Sequence, residues 1–436
     1  MYRTVTSQSQ QRGFSLIELL VAMLLLVIIG GVAISFLQSA SKVSSHQVGL
    51  ADRQVSQRGA LEILERYVQK SGFGGLPIDT TGRTMPTGVS VEVVNNVGAG
   101  TRILVGSTTA PAVEEETDVL ILRGAFDLPT YQVEPGGVTY TPLNATTGDI
   151  LVTNVTPTGR TQDLAPLIAA VERAANNDSG PIPEAVFLGQ AYDPEIYCLA
   201  ELVPGDSDVS SSTTQIRLRV RVEGAGGYAD QYATLCPGGA FPTNFLTQMN
   251  NNDGSIGSIT LVQEYRFYIA EADASPANEI PELASLSVAQ VLPATEDAYA
   301  DDPDSLDIVI AGGVVDLQLA LAADTTNGGG TWDDDQAIVE TVDGQDDDWL
   351  FNSDNDNAAD VIWNPVVGDG PVFHYMRASM VLMAAFDSSY AAPTWTDFLE
   401  DRRYYASDPI NDFPLNKFRR EIVRQTFQLQ NLYRWR

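Results

Sequence analysis

The sequence predicts an α+β protein, in which a long N-terminal helix with a membrane-spanning first half packs on an enlarged antiparallel β-rich domain. Three observations predict this fold class. Residues 14–37 are apolar except for Glu18 and a few small residues. An amphipathic helical pattern follows over residues 38–75. Beyond residue 75, short β-rich runs bounded by Gly, Pro, Asn and Asp replace the helical period.

The N-terminal apolar segment is long enough to cross a membrane. A helix over residues 14–37 extends roughly 36 Å, compared with a hydrocarbon core of about 30 Å. The polar residues 1–13 include Arg3 and Arg12, which favour a cytoplasmic N-terminus and an outward-facing domain. A secretory signal cleaved near Ser39-Ala40-Ser41 is the alternative, but the apolar core is too long for an ordinary signal peptide.

An acidic residue lies near the start of this apolar segment. Glu18 costs about 2.5 to 3.5 kcal/mol on insertion scales, so a compensating partner is expected. The run Gly13-Phe14-Ser15-Leu16-Ile17-Glu18-Leu19-Leu20 resembles the type III signal of type IV prepilins. The resemblance implies that a prepilin peptidase removes residues 1–13 as a leader, cutting after Gly13, and methylates Phe14. It also implies that Glu18 pairs with the amino-terminal charge of a neighbouring subunit.

The helix is predicted to continue through residues 38–75 as an amphipathic segment that packs on the globular domain. Ser71-Gly72-Phe73-Gly74-Gly75 is expected to end it. Its apolar positions are Val43, Leu50, Val55, Leu61, Ile63, Leu64, Tyr67 and Val68.

Residues 76–436 are predicted to form the β-rich globular domain, enlarged by insertions. Residues 163–174 carry a helical pattern and are expected to form a short helix. The predicted strand runs are residues 90–94, 119–122, 150–155, 216–222, 259–269, 308–321, 374–386 and 422–429.

Three segments of this domain resemble the PilW family of type IV pilus minor pilins. The first two are residues 265–269 and 311–319, and the third comprises Arg419-Arg420 with residues 425–431. The resemblance implies a type IV pilin-like fold and a subunit that primes pilus assembly at or near the tip. Its expected partners are other minor pilins, the major pilin, the prepilin peptidase and the inner-membrane assembly platform. The expected location is the inner membrane, as a single-pass protein with a periplasmic domain, and then the pilus or cell surface.

Composition argues against a nucleic-acid partner. The chain has 25 Lys and Arg residues against 57 Asp and Glu residues, a net charge of −32, whereas phosphate-backbone binding needs clustered cations. We also expect no enzymatic activity. His46 and His374 are the only histidines in the sequence. The sequence also lacks the residue spacing of a nucleophile–base pair, of a metalloprotease motif and of a nucleotide-binding loop.

The predicted exported domain contains a candidate disulfide and a candidate calcium site. Cys198 and Cys236 are the only cysteines, and we expect a disulfide between them because exported proteins meet an oxidising compartment. An acidic insert near residues 324–360 has the Asp/Asn-rich, Gly-rich composition that calcium sites use, although a solvated acidic surface has the same composition. The candidate calcium ligands are Asp324, Asp333, Asp335, Asp354 and Asp356. No other cofactor is expected.

Two other functions remain open at this point. A type II secretion pseudopilin shares the N-terminal signal, although Glu18 argues against the pseudopilin class that caps the tip without this glutamate. A membrane-tethered, calcium-dependent surface adhesin would instead use the acidic domain to hold a ligand.

Overall fold

A computed structural model of the protein describes sixteen segments of the chain. The described residues are 15–72, 90–103, 110–133, 140–143, 147–176, 184–190, 193–203, 214–221, 257–271, 284–292, 307–323, 349–350, 373–386, 396–399, 402–405 and 418–429.

A single long helix, α1, runs from Leu16 to Lys70. The chain divides into two compact units, residues Met1–Val55 and residues Ser56–Arg436, so the last part of α1 belongs to the globular unit. A second helix, α2, spans Ala165–Asn176.

The remaining described elements are strands. In chain order they are β1 (Val91–Val94), β2 (Val119–Gly124), β3 (Thr130–Val133), β4 (Tyr140–Pro142), β5 (Thr147–Thr153), β6 (Ala185–Gln190), β7 (Asp193–Leu202), β8 (Gln215–Arg221), β9 (Gly257–Leu261), β10 (Gln263–Ala270), β11 (Ser285–Leu292), β12 (Asp307–Gly312), β13 (Val314–Ala323), β14 (Trp349–Leu350), β15 (Phe373–Phe386), β16 (Thr396–Leu399), β17 (Arg402–Tyr405) and β18 (Phe418–Gln428).

These strands form three larger antiparallel sheets and the β16–β17 hairpin. The five-stranded sheet has the order β1-β2-β10-β11-β12, and the four-stranded sheet has the order β14-β13-β15-β18. The seven-stranded sheet has the order β3-β9-β6-β7-β8-β5-β4.

The end of α1, the five-stranded sheet and the four-stranded sheet enclose one hydrophobic core, and we call them together the helix-backed lobe. Ala60, Leu64 and Val68 of α1 are almost fully buried in this core. Their spacing of four residues places them on one face of the helix. Alternate apolar residues of the strands belong to the same core, namely Leu120, Leu122, Tyr265, Phe267, Leu286, Leu317, Leu319, Met376, Met380 and Phe427.

A glycine and a serine end α1. Gly72 adopts a φ of 74°, the left-handed conformation that glycine commonly provides just beyond a helix. The backbone N–H of Ser71 donates to the carbonyl of Tyr67 at 2.9 Å, and its hydroxyl donates to the carbonyl of Val68 at 2.7 Å. The N–H of Gly72 then donates to the carbonyl of Arg123 at 3.0 Å, which ties the helix end to β2.

The chain moves from the five-stranded sheet to the four-stranded sheet at one glycine. Gly313 has a φ of 76° and separates β12 from β13. Asp118 links the same two sheets, because its fully buried carboxylate accepts the backbone N–H of Asn96 at 2.8 Å and that of Leu319 at 2.7 Å. These bonds satisfy a carboxylate that would otherwise be costly to bury.

The seven-stranded sheet and α2 form a second lobe, which we call the inserted lobe. The chain leaves the five-stranded sheet through β2 and enters the inserted lobe at β3, then returns from β9 to β10. Strands β2 and β10 are neighbours in one sheet, and β3 and β9 are neighbours in the other. The inserted lobe has its own core, in which Leu167 and Ala170 of α2 pack over residues such as Ile150, Leu188 and Leu218.

The predicted fold class is confirmed: a long N-terminal helix is followed by antiparallel sheets. Two predicted single strands are wrong in detail. The run 259–269 divides at Val262 into β9 and β10, and the run 308–321 divides at Gly313 into β12 and β13, each pair belonging to different sheets. On α1, Ile63 is 38% exposed, so it does not share the buried face of Leu64.

Candidate functional site: the start of the N-terminal helix

The helix α1 begins with a reciprocal pair of hydrogen bonds. The backbone N–H of Ser15 donates to Oε2 of Glu18 at 3.0 Å, and the N–H of Glu18 donates to Oγ of Ser15 at 3.2 Å. This is a capping box, in which a serine at the N-cap and a glutamate three residues later satisfy backbone donors that the helix leaves free. The partial positive charge of the helix N-terminus also favours the carboxylate there.

The carboxylate of Glu18 keeps capacity for another partner. Its side chain is exposed, and Oε1 accepts no hydrogen bond from the residues that the structure describes. An ionised carboxylate accepts hydrogen bonds through both oxygens, so Oε1 can receive a cationic donor while Oε2 remains in the cap. The position can therefore pair with an amine supplied from outside the subunit.

The surface of α1 around Glu18 is apolar and uncovered. Residues Leu16–Ser41 form a 26-residue stretch that is long and apolar enough to cross a membrane, as judged by length and composition. Leu16, Ile17 and Leu26 are more than 70% exposed. Such a helix needs lipid or other apolar helices around it.

The end of α1 within the helix-backed lobe is anchored by aromatic rings. The ring centroid of Tyr67 lies 4.7 Å from the ring centroid of Tyr265, 5.3 Å from that of Phe267 and 5.5 Å from that of Phe126. Burial raises the pKa of the Tyr67 and Tyr265 hydroxyls above their ordinary value, so both remain neutral at physiological pH. Lys70 adds a partly exposed ion pair with Asp127 at 3.1 Å.

A comparison with family models identifies the N-terminal segment. Residues 8–34 match the family model described as the prokaryotic N-terminal methylation motif. This motif indicates a type IV pilin-like or pseudopilin protein. In general it implies prepilin peptidase processing and pilin partners, and together with the apolar helix it indicates membrane anchoring. No curated protein and no solved structure matches the chain.

The structure describes only some of the predicted site residues. Glu18 lies at the start of α1, whereas Gly13 and Phe14 precede the described residues. Cys198 lies in β7 and Cys236 lies outside the described segments, so the disulfide stays a prediction. The calcium candidates Asp324, Asp333, Asp335, Asp354 and Asp356 also lie outside them. Within the described segments, no group of three or more His, Cys, Asp or Glu residues is arranged to hold a metal ion.

Sequence reasoning missed the role of Ser15. Its signal was present as the Ser-x-x-Glu spacing, which is typical of a capping box at a helix start. The structure thus gives Glu18 a partner within its own subunit in addition to the one expected from a neighbour.

Proposed function

We propose that this chain is a minor pilin that takes part in type IV pilus assembly, primes the filament and occupies a position at or near its tip. The observation that carries the proposal is the methylation motif over residues 8–34, combined with an exposed apolar helix that presents Glu18 at its start. A methylated amino terminus keeps a positive charge, which Glu18 of an adjacent subunit neutralises when both lie in apolar surroundings.

The packing of the helix-backed lobe supports the minor-pilin assignment. The three segments that resemble PilW proteins contribute Tyr265, Phe267, Leu317, Leu319 and Phe427 to one core. This core also contains Ala60, Leu64 and Val68 of α1. The resemblance therefore falls on residues that hold the helix, and the inserted lobe carries none of the three segments.

The size of the globular unit supports a position at the end of the filament. Residues Ser56–Arg436 form one compact unit, and those of its residues that the structure describes form two hydrophobic cores. Subunits in the filament body have neighbours on all sides, whereas a terminal subunit leaves one side free for an added lobe. In this proposal the protein enters the inner membrane once, with its globular unit in the periplasm, and later reaches the pilus. It acts as a structural subunit without catalysis.

Processing tests this proposal. Intact mass should show a mature protein that begins at methylated Phe14 in cells with prepilin peptidase, and the full chain with residues 1–13 in cells without it. A mature terminus near Lys42 would instead support an ordinary secretory signal. Deletion of the gene should then reduce surface piliation without affecting type II secretion. Loss of secretion with normal piliation would assign the chain to the pseudopilins.

A further inference from the structure

The seven-stranded sheet of the inserted lobe curves until strands from its two ends meet. In the order β3-β9-β6-β7-β8-β5-β4, β3 lies at one end and β5 lies next to the other. Cα atoms of β3 and β5 nevertheless approach within 8 Å at several positions. Tyr131 and Val133 of β3 also share one core with Ile150 and Val152 of β5. The sheet therefore closes toward a barrel, and we call the junction between β3 and β5 the seam.

Strand pairing does not close the seam. Among the described strands, β3 pairs with β9, and β5 pairs with β8 on one side and β4 on the other. β4 extends only along Gly148–Ile150 of β5. The following residues of β5, Leu151–Thr153, pair with β8 and have no described strand on their other side.

The side chain of Gln162 bridges the seam. Its Oε1 accepts the backbone N–H of Gln132 in β3 at 3.1 Å. Its Nε2 donates to the carbonyl of Gln132 at 3.1 Å and to the carbonyl of Thr153 in β5 at 2.7 Å. An amide that accepts from and donates to the same residue reproduces the pairing of a neighbouring strand. The carboxamide therefore takes the place of the peptide group that a further strand would supply.

The backbone of Gln162 is attached to the β5 side of the seam. Its N–H donates to the carbonyl of Asn154, just beyond β5, at 2.8 Å. Val155 and Thr161 form an antiparallel bridge within the turn that connects β5 to Gln162. The side chain is thus held from β5, and its two bonds to Gln132 reach across to β3.

Water has access to this bridge. Gln132 and Thr153 are exposed and Gln162 is half-buried, whereas Tyr131 and Val152 beside them are completely buried. Water competes for exposed hydrogen bonds, so each of them contributes little net stability. In the middle of the sheet, β6 is paired on both sides, with β7 and with β9. The seam is therefore a weaker joint than the pairing around β6.

We propose that the carboxamide of Gln162 is a releasable latch, and that the inserted lobe opens at the seam while the rest of its sheet stays paired. Release breaks the two bonds to Gln132. β3 then remains paired with β9, and the turn that carries Gln162 remains on β5. Opening uncovers Tyr131 and Val152 behind the seam. The inference concerns the inserted lobe alone, and it goes beyond the proposed pilin function and does not depend on it.

Hydrogen exchange of the full chain in detergent micelles, resolved to single amides, tests the latch. The amide of Gln132 exchanges when the seam opens, whereas that of Leu188 in β6 exchanges when the paired sheet opens. In the wild type, we expect the protection factor of the Gln132 amide to be at least about tenfold lower than that of Leu188. Equal protection would overturn the proposal, because the seam would then open only together with the whole sheet.

Two variants remove the latch, and a third is the matched control. Gln162→Ala should lower the protection of the Gln132 amide by at least a further factor of about ten, because both bonds across the seam are lost. Gln162→Glu keeps the length of the side chain but turns an oxygen toward two carbonyls, so its effect should be at least as large. The control is Gln132→Ala, since Gln132 contributes only its backbone to the latch. It should change the protection factor at position 132 by less than about twofold.

The amide of Leu188 serves as the internal reference in each variant. Its protection should change by less than about twofold when the latch is removed. Unchanged protection of Gln132 in both Gln162 variants would overturn the proposal. An equal loss at Gln132 and Leu188 would also overturn it, because Gln162 would then stabilise the whole lobe rather than the seam. If neither variant folds, the wild-type comparison of Gln132 with Leu188 remains decisive.

Discussion

The two lobes of the globular unit hold their charges in different ways. In the helix-backed lobe, Glu264 is fully buried and bonds to two arginines: Oε2 lies 2.7 Å from Nε of Arg123, and Oε1 lies 2.6 Å from Nη2 of Arg266. Arg123 also contacts Glu92 at 2.7 Å, so two glutamates balance two arginines.

The inserted lobe instead keeps its arginines nearer to water. Arg219 pairs with Asp149 at 2.8 Å, Arg221 with Glu201 at 3.0 Å, and Arg173 with Glu184 at 2.5 Å. These three arginine side chains are 24 to 35% exposed, whereas those of Arg123 and Arg266 are 3% and 8% exposed. The helix-backed lobe therefore buries its paired arginines, whereas the inserted lobe leaves its paired arginines partly exposed to water. Loss of a carboxylate partner is expected to cost more in the first lobe than in the second.

The largest expected effect is at Glu264. We expect Glu264→Gln to lower the free energy of unfolding by about 3 to 5 kcal/mol, because it leaves two buried arginines with one carboxylate. The matched change in the inserted lobe, Asp149→Asn, should cost about 1 kcal/mol, since water reaches Arg219. Chemical denaturation of both variants measures the difference. Equal losses would mean that the two lobes do not differ in this respect.

Because each lobe has its own core, a core substitution is expected to increase local unfolding mainly in the lobe that contains it. Leu64 and Leu167 are both fully buried, the first in the helix-backed lobe and the second in the inserted lobe. Each change to alanine should cost about 2 to 5 kcal/mol. Hydrogen exchange should increase mainly in β5 to β9 for Leu167→Ala, and in β10, β13 and β15 for Leu64→Ala. The same exchange pattern in both variants would show that the lobes unfold as one cooperative unit.

Glu184 in the inserted lobe is expected to make a smaller, pH-dependent contribution to the free energy of unfolding. Burial raises the pKa of Glu184 above 4.5, and the hydrogen bond and charge of Arg173 oppose the shift. The folded state therefore holds the proton more tightly than the unfolded state. The resulting stabilisation is complete below pH 4.5 and is lost as the pH rises through the pKa of the folded state.

The variant Glu184→Gln isolates this contribution. The stability difference between wild type and variant should decline as the pH rises from 4 to 7, when both are measured by thermal unfolding at constant ionic strength. A difference that grows with pH would show that Arg173 outweighs burial at this site.

Sequence predicted the local elements better than the way in which they assemble into sheets, for physical reasons. The apolar segment, Glu18 and the buried positions Leu64 and Val68 follow from local composition and helical period. An apolar run does not reveal where a strand passes into another sheet, so the divisions at Val262 and Gly313 were missed. The contact between Arg123 and Glu264 joins residues 141 positions apart. Its only local sign is a charged residue at alternate positions of an otherwise apolar strand, as in Glu264-Tyr265-Arg266.

The central claim is that the charge of Glu18 serves assembly. Glu18→Gln tests it because glutamine can retain the capping box with Ser15 but lacks the charge. Glu18→Ala removes both, and Ser15→Ala removes the side-chain cap at a cost of about 1 kcal/mol while the charge remains.

The decisive measurement is co-purification of partner pilins with each variant, normalised to the amount of processed protein in the inner membrane. All three variants should insert and be cut after Gly13, because Gly13 borders the scissile bond. Partner capture should fall strongly for Glu18→Gln and Glu18→Ala and remain near the wild-type level for Ser15→Ala. Normal capture by Glu18→Gln would contradict charge pairing and leave helix capping as the role of Glu18.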